Sequence, residues 1–220
     1  MTTAPFALRL LEDNLQSGAV FALPADGANR VIYVAHGSFR IGGAQFKDDQ
    51  AWHGRGAAEL QAGPHGAALW RFELVPSGAA LAQVSAAAGR THEKLSGALT
   101  AWPIADQLLI RADSVAFPPG GCAYLHTHQG PGFRCLIEGG IRIDTDGHST
   151  SYAPGDAWFE AGPVPVFAQA AADRPSRFIR VMILPASLKG KSSIAYVNTE
   201  DRDKPKSQSY KIFVDELIDT

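Results

Sequence analysis

Residues 30–41, RVIYVAHGSFRI, align without a gap on residues 132–143, GFRCLIEGGIRI, 102 positions further along the chain. Each copy reads as an apolar strand, a glycine turn and a second strand. Two more pairs follow in the same order. GAAELQAGP (56–64) matches GDAWFEAGP (155–163), and LWRFELVP (69–76) matches FIRVMILP (178–185). Preserved order with drifting offsets is what two copies of one β-unit with loops of different length produce. Short runs rich in Val, Ile, Leu and Phe at 31–35, 68–74, 107–115, 134–137, 178–184 and 210–214 carry the pattern, separated by Gly, Pro, Asp and Asn. The expected architecture is all-β, a sandwich or closed barrel in each copy. A short helix is expected over the alanine-rich 79–88, ended by Gly89.

The composition agrees. With 22 Gly and 14 Pro in 220 residues, the chain carries too many turn-formers for a helical bundle. Twenty Lys and Arg against 22 Asp and Glu leave a net charge of -2, which gathers neither nucleic acid nor anionic lipid. No apolar run is long enough to span a membrane, and residues 1–14 lack the charged-then-apolar order of a secretory signal. Two cysteines, Cys122 and Cys135, read as free thiols of a cytoplasmic protein. From Lys189 the chain turns polar, with basic and acidic residues in balance, and ends in the strand-like YKIFVDELI. Such a strand adds to a sheet edge in its own chain or in a neighbour, so a homodimer is expected.

Among seven histidines, His126 and His128 stand apart. They lie in FPPGGCAYLHTHQGPGFRCLIEGG (117–140), where alternation on a strand puts residues 122, 124, 126 and 128 on one face. Two imidazoles one residue apart can reach a single divalent cation, or they can be a hydrogen-bonded polar pair in a barrel mouth. On the same alternation Tyr124 and Cys122 line the cavity, Tyr124 as a hydrogen-bond donor or acid. Trp158, Phe159, Phe167 and Phe133 read as packing.

This stretch resembles the first motif of the cupin superfamily, G-x5-HxH-x3,4-E-x6-G, with Gly120, His126, His128 and Gly139 at the motif's spacings. Gly155 and Asp156 open its second motif. Extended through the repeat, the resemblance implies a bicupin: two cupin-type antiparallel β-barrels, jelly-roll-like, each usually holding a metal on three histidines and a glutamate. The expected division is 1–76 as a degenerate first barrel, 77–105 as linker, 106–188 as the barrel with the HxH site, and 189–220 as tail.

The departures from the motifs limit what carries over. Gly132 stands at the glutamate position, Val166 at the third histidine and Ala161 at the second-motif proline. In the first copy Pro24 and Asp26 take the histidine positions and Arg30 faces Gly132, so that half is expected to be structural. In the second copy Glu160 is the replacement ligand, and with His126 and His128 it would make a two-histidine, one-carboxylate set. Gln129 is a weaker oxygen donor. Arg134 shares the inward direction of Gly132, and a buried guanidinium needs an anion. That anion is Glu160, in a metal-free ion pair, or the carboxylate of a small ligand. Arg142 is expected at the surface.

The function implied is that of a metal-binding protein on Fe, Mn, Ni or Zn, or on none. In the enzyme reading, a dioxygenase- or isomerase-like activity acts on a small carboxylate-bearing molecule, with Arg134 and Tyr124 in catalytic roles. The alternative is a non-catalytic small-molecule binder or a decayed scaffold.

Overall fold

The structure, a computed structural model, describes residues 6–99 and 107–219. The chain divides into two compact units, residues 1–100 and 101–220. Residues 1–5 of the expected first barrel, 100–105 of the expected linker, 106 of the expected second barrel and 220 of the tail lie outside the described residues.

The first unit holds β1 (Phe6–Leu15), β2 (Val20–Leu23), β3 (Asn29–Ile41), β4 (Ala44–Lys47), β5 (Ala51–Arg55), β6 (Ala58–Pro76) and β7 (Gly89–Ala98). They form one antiparallel sheet in the order β4-β3-β6-β1-β7, with β2 also on β6 and β5 also on β3. Bulges between Val34 and His36 and between Gly37 and Phe39 break the long β3–β6 ladder, which lets each strand change partners along its length. Ile32, Val34, Phe39, Leu60 and Leu69 form its core with Phe21 and Leu23. Removing each such side chain from water contributes about 1.5–3 kcal/mol.

The second unit holds β8 (Leu108–Phe117), β9 (Cys122–His128), β10 (Gly132–Glu138), β11 (Ile141–Thr145), β12 (His148–Tyr152), β13 (Ala157–Glu160), β14 (Val166–Ala170), β15 (Ser176–Pro185), β16 (Ile194–Tyr196) and β17 (Ser209–Ile218). These make two five-stranded sheets, β13-β10-β15-β8-β17 and β12-β11-β14-β9-β16. Its core draws Val115, Leu136, Trp158 and Phe178 from the first sheet and Ile141, Ile143, Val166 and Ala168 from the second, so the sheets pack face to face. Alternation fixes which face turns inward: in β11 Ile141 and Ile143 are buried while Arg142 points out.

Two local features recur at aligned positions of the two units. Ile32 pairs with Arg71 across β3 and β6, and their equivalents Arg134 and Arg180 pair across β10 and β15. Gly37 and Gly139 both have positive φ, +87° and +84°. At each, an added Cβ would sit against a carbonyl, Gly66 O at 2.4 Å and Pro175 O at 2.2 Å. These carbonyls are themselves equivalent, so one strand crossing is built twice.

The ends of the copies differ from the sequence reading. Residues 79–88 form no helix: Arg9 donates to the carbonyls of Ala79 and Ala80, Arg71 donates to Ala82, and the Val84 N–H donates to Thr91 Oγ1. Side chains thus take the backbone groups that a helix would need. Residues 89–98 of the expected linker are β7, paired along β1. The tail beyond residue 188 supplies β16, paired with β9, and β17, paired with β8 of its own chain.

Candidate metal centre

A β-bulge decides which residues of β9 face inward. His126 pairs with Val166 and Ala123 with Ala168, so three steps along β9 match two along β14. The bulge reverses the alternation between residues 123 and 126. Ala123, His126 and His128 therefore line the interior, whereas Cys122 and Tyr124 do not. The Tyr124 ring instead lies under the ammonium groups of Lys204 and Lys206, at 5.1 and 5.3 Å from its centroid. Simple alternation overlooks this inserted residue.

His126 and His128 are each 4% exposed. His126 Nδ1 lies 2.7 Å from the Tyr124 carbonyl oxygen, which only accepts, so Nδ1 carries the proton and Nε2 keeps its lone pair. That Nε2 accepts a hydrogen bond from His128 Nε2 at 3.2 Å, with the rings nearly perpendicular at 81°, so the two form the hydrogen-bonded pair that the sequence allowed beside a metal pair. On the other side of its ring, His128 Nδ1 meets Ser193 Oγ at 3.4 Å. Burial lowers the pKa of His126. Burial, reinforced by Arg134 and Arg180, holds His128 well below the ordinary imidazole value. At neutral pH both rings are uncharged bases.

Arg134 is fully buried, and burial lowers its pKa to about 10. Its Nη1 donates to Gly132 O at 2.6 Å, and its Nη2 lies 2.7 Å from Glu160 Oε2. That second contact has ion-pair length but not the alignment of a hydrogen bond, leaving Oε2 without a donor. Trp158 Nε1 donates to Glu160 Oε1 at 2.9 Å, and Glu160 Oε2 stands 3.5 Å from His128 Nε2. Glu160 is therefore both the partner of Arg134 and the carboxylate nearest the imidazoles. Of the two anions considered for Arg134, the structure supplies Glu160.

Arg180 also lines the interior, held by Asp113 through Nε–Oδ1 at 2.9 Å and Nη2–Oδ2 at 2.8 Å. The space between these groups is about 20 Å³, room for one water or one ion. Gly132 cannot simply be replaced by the motif's glutamate, because a Cβ there would lie 2.4 Å from Val181 O. Gln129 is exposed and does not line this space, and Arg142 pairs with Asp144 at the surface. Phe133 and Trp158 are buried as expected, but Phe159 is exposed and packs edge-on to Phe133. Asp113, Arg180 and Ser193 carried no motif and were not singled out by the sequence.

The donors can be tested against a cation. Two nitrogens each about 2.1 Å from one ion stand roughly 3.0–3.4 Å apart, which brackets the observed separation. Glu160 Oε2 adds a buried, undonated oxygen beside them. Among the described residues no three His, Cys, Asp or Glu side chains already stand as a complete ligand set. The two nitrogens are spaced for a metal, which would be held once the His128 proton moves from Nε2 to Nδ1, on the Ser193 side, and Arg134 shares the Glu160 oxygen.

In the first unit the same interior is filled with ion pairs. Arg30 Nε meets Glu73 Oε1 at 2.8 Å, Arg71 Nε meets Asp13 Oδ2 at 2.7 Å, and Arg71 also contacts Glu73. Asp26, aligned with His128, pairs with Arg30, aligned with Gly132.

No protein-family profile matches the chain, and no curated protein matches it. Solved structures do. A deletion mutant of Bacillus subtilis oxalate decarboxylase OxdC is 14% identical, covering 93% of this chain and 78% of its own, with a TM-score of 0.59. A further oxalate decarboxylase structure is 16% identical over 90% of this chain and 73% of its own, with a TM-score of 0.60. AerE from Microcystis aeruginosa is 10% identical over 80% of this chain and 88% of its own, with a TM-score of 0.55. At such identities the likeness speaks for the fold alone, and among the described residues no helix is long and apolar enough to cross a membrane. The fold these structures share with the chain is that of the cupins, and the chain is a cupin-fold protein.

Proposed function

We propose that the second unit is a one-metal cupin centre, with His126 and His128 as its nitrogen ligands and Glu160 as its oxygen ligand, serving a reaction on a small carboxylate-bearing molecule. The observation that carries this reading is the pair of neutral Nε2 atoms 3.2 Å apart, facing a space the size of one ion. When bound there, a divalent transition metal (Fe, Mn, Ni or Zn) supplies Lewis-acid polarisation of an oxygen.

The protein's own groups set the terms. The Tyr124 carbonyl fixes the tautomer of His126, and burial keeps both rings deprotonated for coordination. Trp158 holds one oxygen of Glu160 and leaves the other turned toward His128. Arg134 acts as a positioning residue: its guanidinium lies 2.7 Å from Glu160 Oε2 and holds that side chain beside the imidazoles. Oxalate decarboxylase, a fold neighbour, acts on a small dicarboxylate by its name, which supports an acid as the substrate class.

The test is titration of chelator-stripped protein with Co²⁺, Mn²⁺ and Zn²⁺. Wild type should bind about one equivalent of at least one of them, and His126→Ala should weaken that binding by roughly 100-fold. Binding below about a tenth of an equivalent for every metal overturns the proposal.

A further inference from the structure

A second, larger space lies beside the histidine cavity. It measures about 240 Å³ and is walled by Arg111, Lys191, Ser193, Ile194, Tyr210 and Ile212, among others. Arg180, Ile194 and Tyr210 line both spaces, so these three side chains are the partition between them.

They are not equally movable. Arg180 is fixed by its double contact with Asp113. Ile194 is only half-buried and Tyr210 is 47% exposed, so either can turn aside without breaking the core. Both come from the segment after residue 188. Ile194 sits in β16 directly opposite His128, and the preceding Ser193 touches the far nitrogen of that ring. The tail is thus placed on the histidine strand itself.

We infer that the 240 Å³ space is the antechamber of the histidine cavity, that Ile194 and Tyr210 are its gate, and that they set the size of what reaches the imidazoles. Arg111 and Arg180 are held by Asp215 and Asp113, so Lys191 is the cation the chamber offers to a small organic anion, with Ile194, Tyr210 and Ile212 packing its apolar part. The inference deepens the metal-centre reading and rests on it for its purpose, but the route can be measured without metal.

The experiment uses the full chain and diethylpyrocarbonate, a small electrophile that modifies neutral imidazoles, with the modified peptides read by mass spectrometry. The peptide carrying His126 and His128 should react slowly in wild type. Ile194→Ala and Tyr210→Ala should each raise that rate about tenfold or more by lowering the cost of opening. His36, whose side chain is 82% exposed, should keep its rate and serve as the internal reference. Cys135, buried in the same unit, should stay equally slow toward a thiol reagent, which separates gate opening from general loosening. Tyr210→Trp, which enlarges the partition, should leave the rate at or below wild type. Unchanged histidine rates in both alanine variants overturn the inference, as does a rise matched by Cys135 or by Tyr210→Trp. A protein that shows the gated pattern yet binds no metal keeps the gate and loses the metal-centre reading.

Discussion

A neutral imidazole in a closed interior resists protonation because its cation would lose the water that stabilises it. His126 and His128 are held below 6.5 for this reason, His128 further because Arg134 and Arg180 face it. Their folded pKa values are depressed, so the unfolded chain takes up protons first as the pH drops. The stability they contribute is therefore whole above about 6.5 and is lost as the pH falls from there toward the folded values. Each histidine can add a slope of up to about 1.4 kcal/mol per pH unit in that window. Urea unfolding of metal-free protein at pH 7.5, 6.5 and 5.5 should show this decline. The decline should be shallower in His128→Gln, because the carboxylates common to both chains cancel in the comparison. Parallel slopes would mean that the rings find water or a proton acceptor on folding.

Strand crossings pose a different problem, close approach of two backbones, and here glycine matters. Gly139 has φ of +84°, and a Cβ on it would lie 2.2 Å from Pro175 O and 2.5 Å from Ser176 Oγ. Gly147 has a similar φ of +73° at a hairpin with nothing within 4 Å. Gly147→Ala should cost about 1 kcal/mol of conformational strain, and Gly139→Ala at least about 2 kcal/mol more from the backbone clash. Chemical denaturation of the two variants isolates the crossing from the turn, and equal losses would remove its special role. The repeat put glycines 37 and 139 at matching places but read both as turns, whereas Gly37 lies within β3 and both meet a carbonyl from far along the chain. The shared inward direction of the histidine pair was legible for another reason, its spacing being set within one strand. What stayed hidden depends on partners far along the chain. The bulge in β9 shows only in its register against β14, and it turned Tyr124 outward. The place of β16 beside His128 is fixed by pairing across more than sixty residues, which no local pattern encodes.

At the scale of the whole molecule, the two units carry different interiors. The second unit offers two neutral nitrogens and a partly satisfied carboxylate around a space for one ion. The first places Arg30 and Arg71 among Asp13, Asp26 and Glu73, so each of these three carboxylates already answers to a guanidinium. A cation entering that unit would have to displace a buried arginine, which brings the desolvation cost of an unpaired charge. The chain should therefore bind one metal equivalent, not two. Glu73→Gln removes the carboxylate that both arginines share, and it should lower stability by about 3–5 kcal/mol while leaving the stoichiometry at one. Calorimetric titration of wild type, Glu73→Gln and His128→Ala decides the matter. A second equivalent that persists in His128→Ala would put a metal in the first unit and end this division of labour. Loss of all binding in His128→Ala, with binding intact in Glu73→Gln, would confirm that the metal belongs to the second unit and that the first is an ion-paired shell.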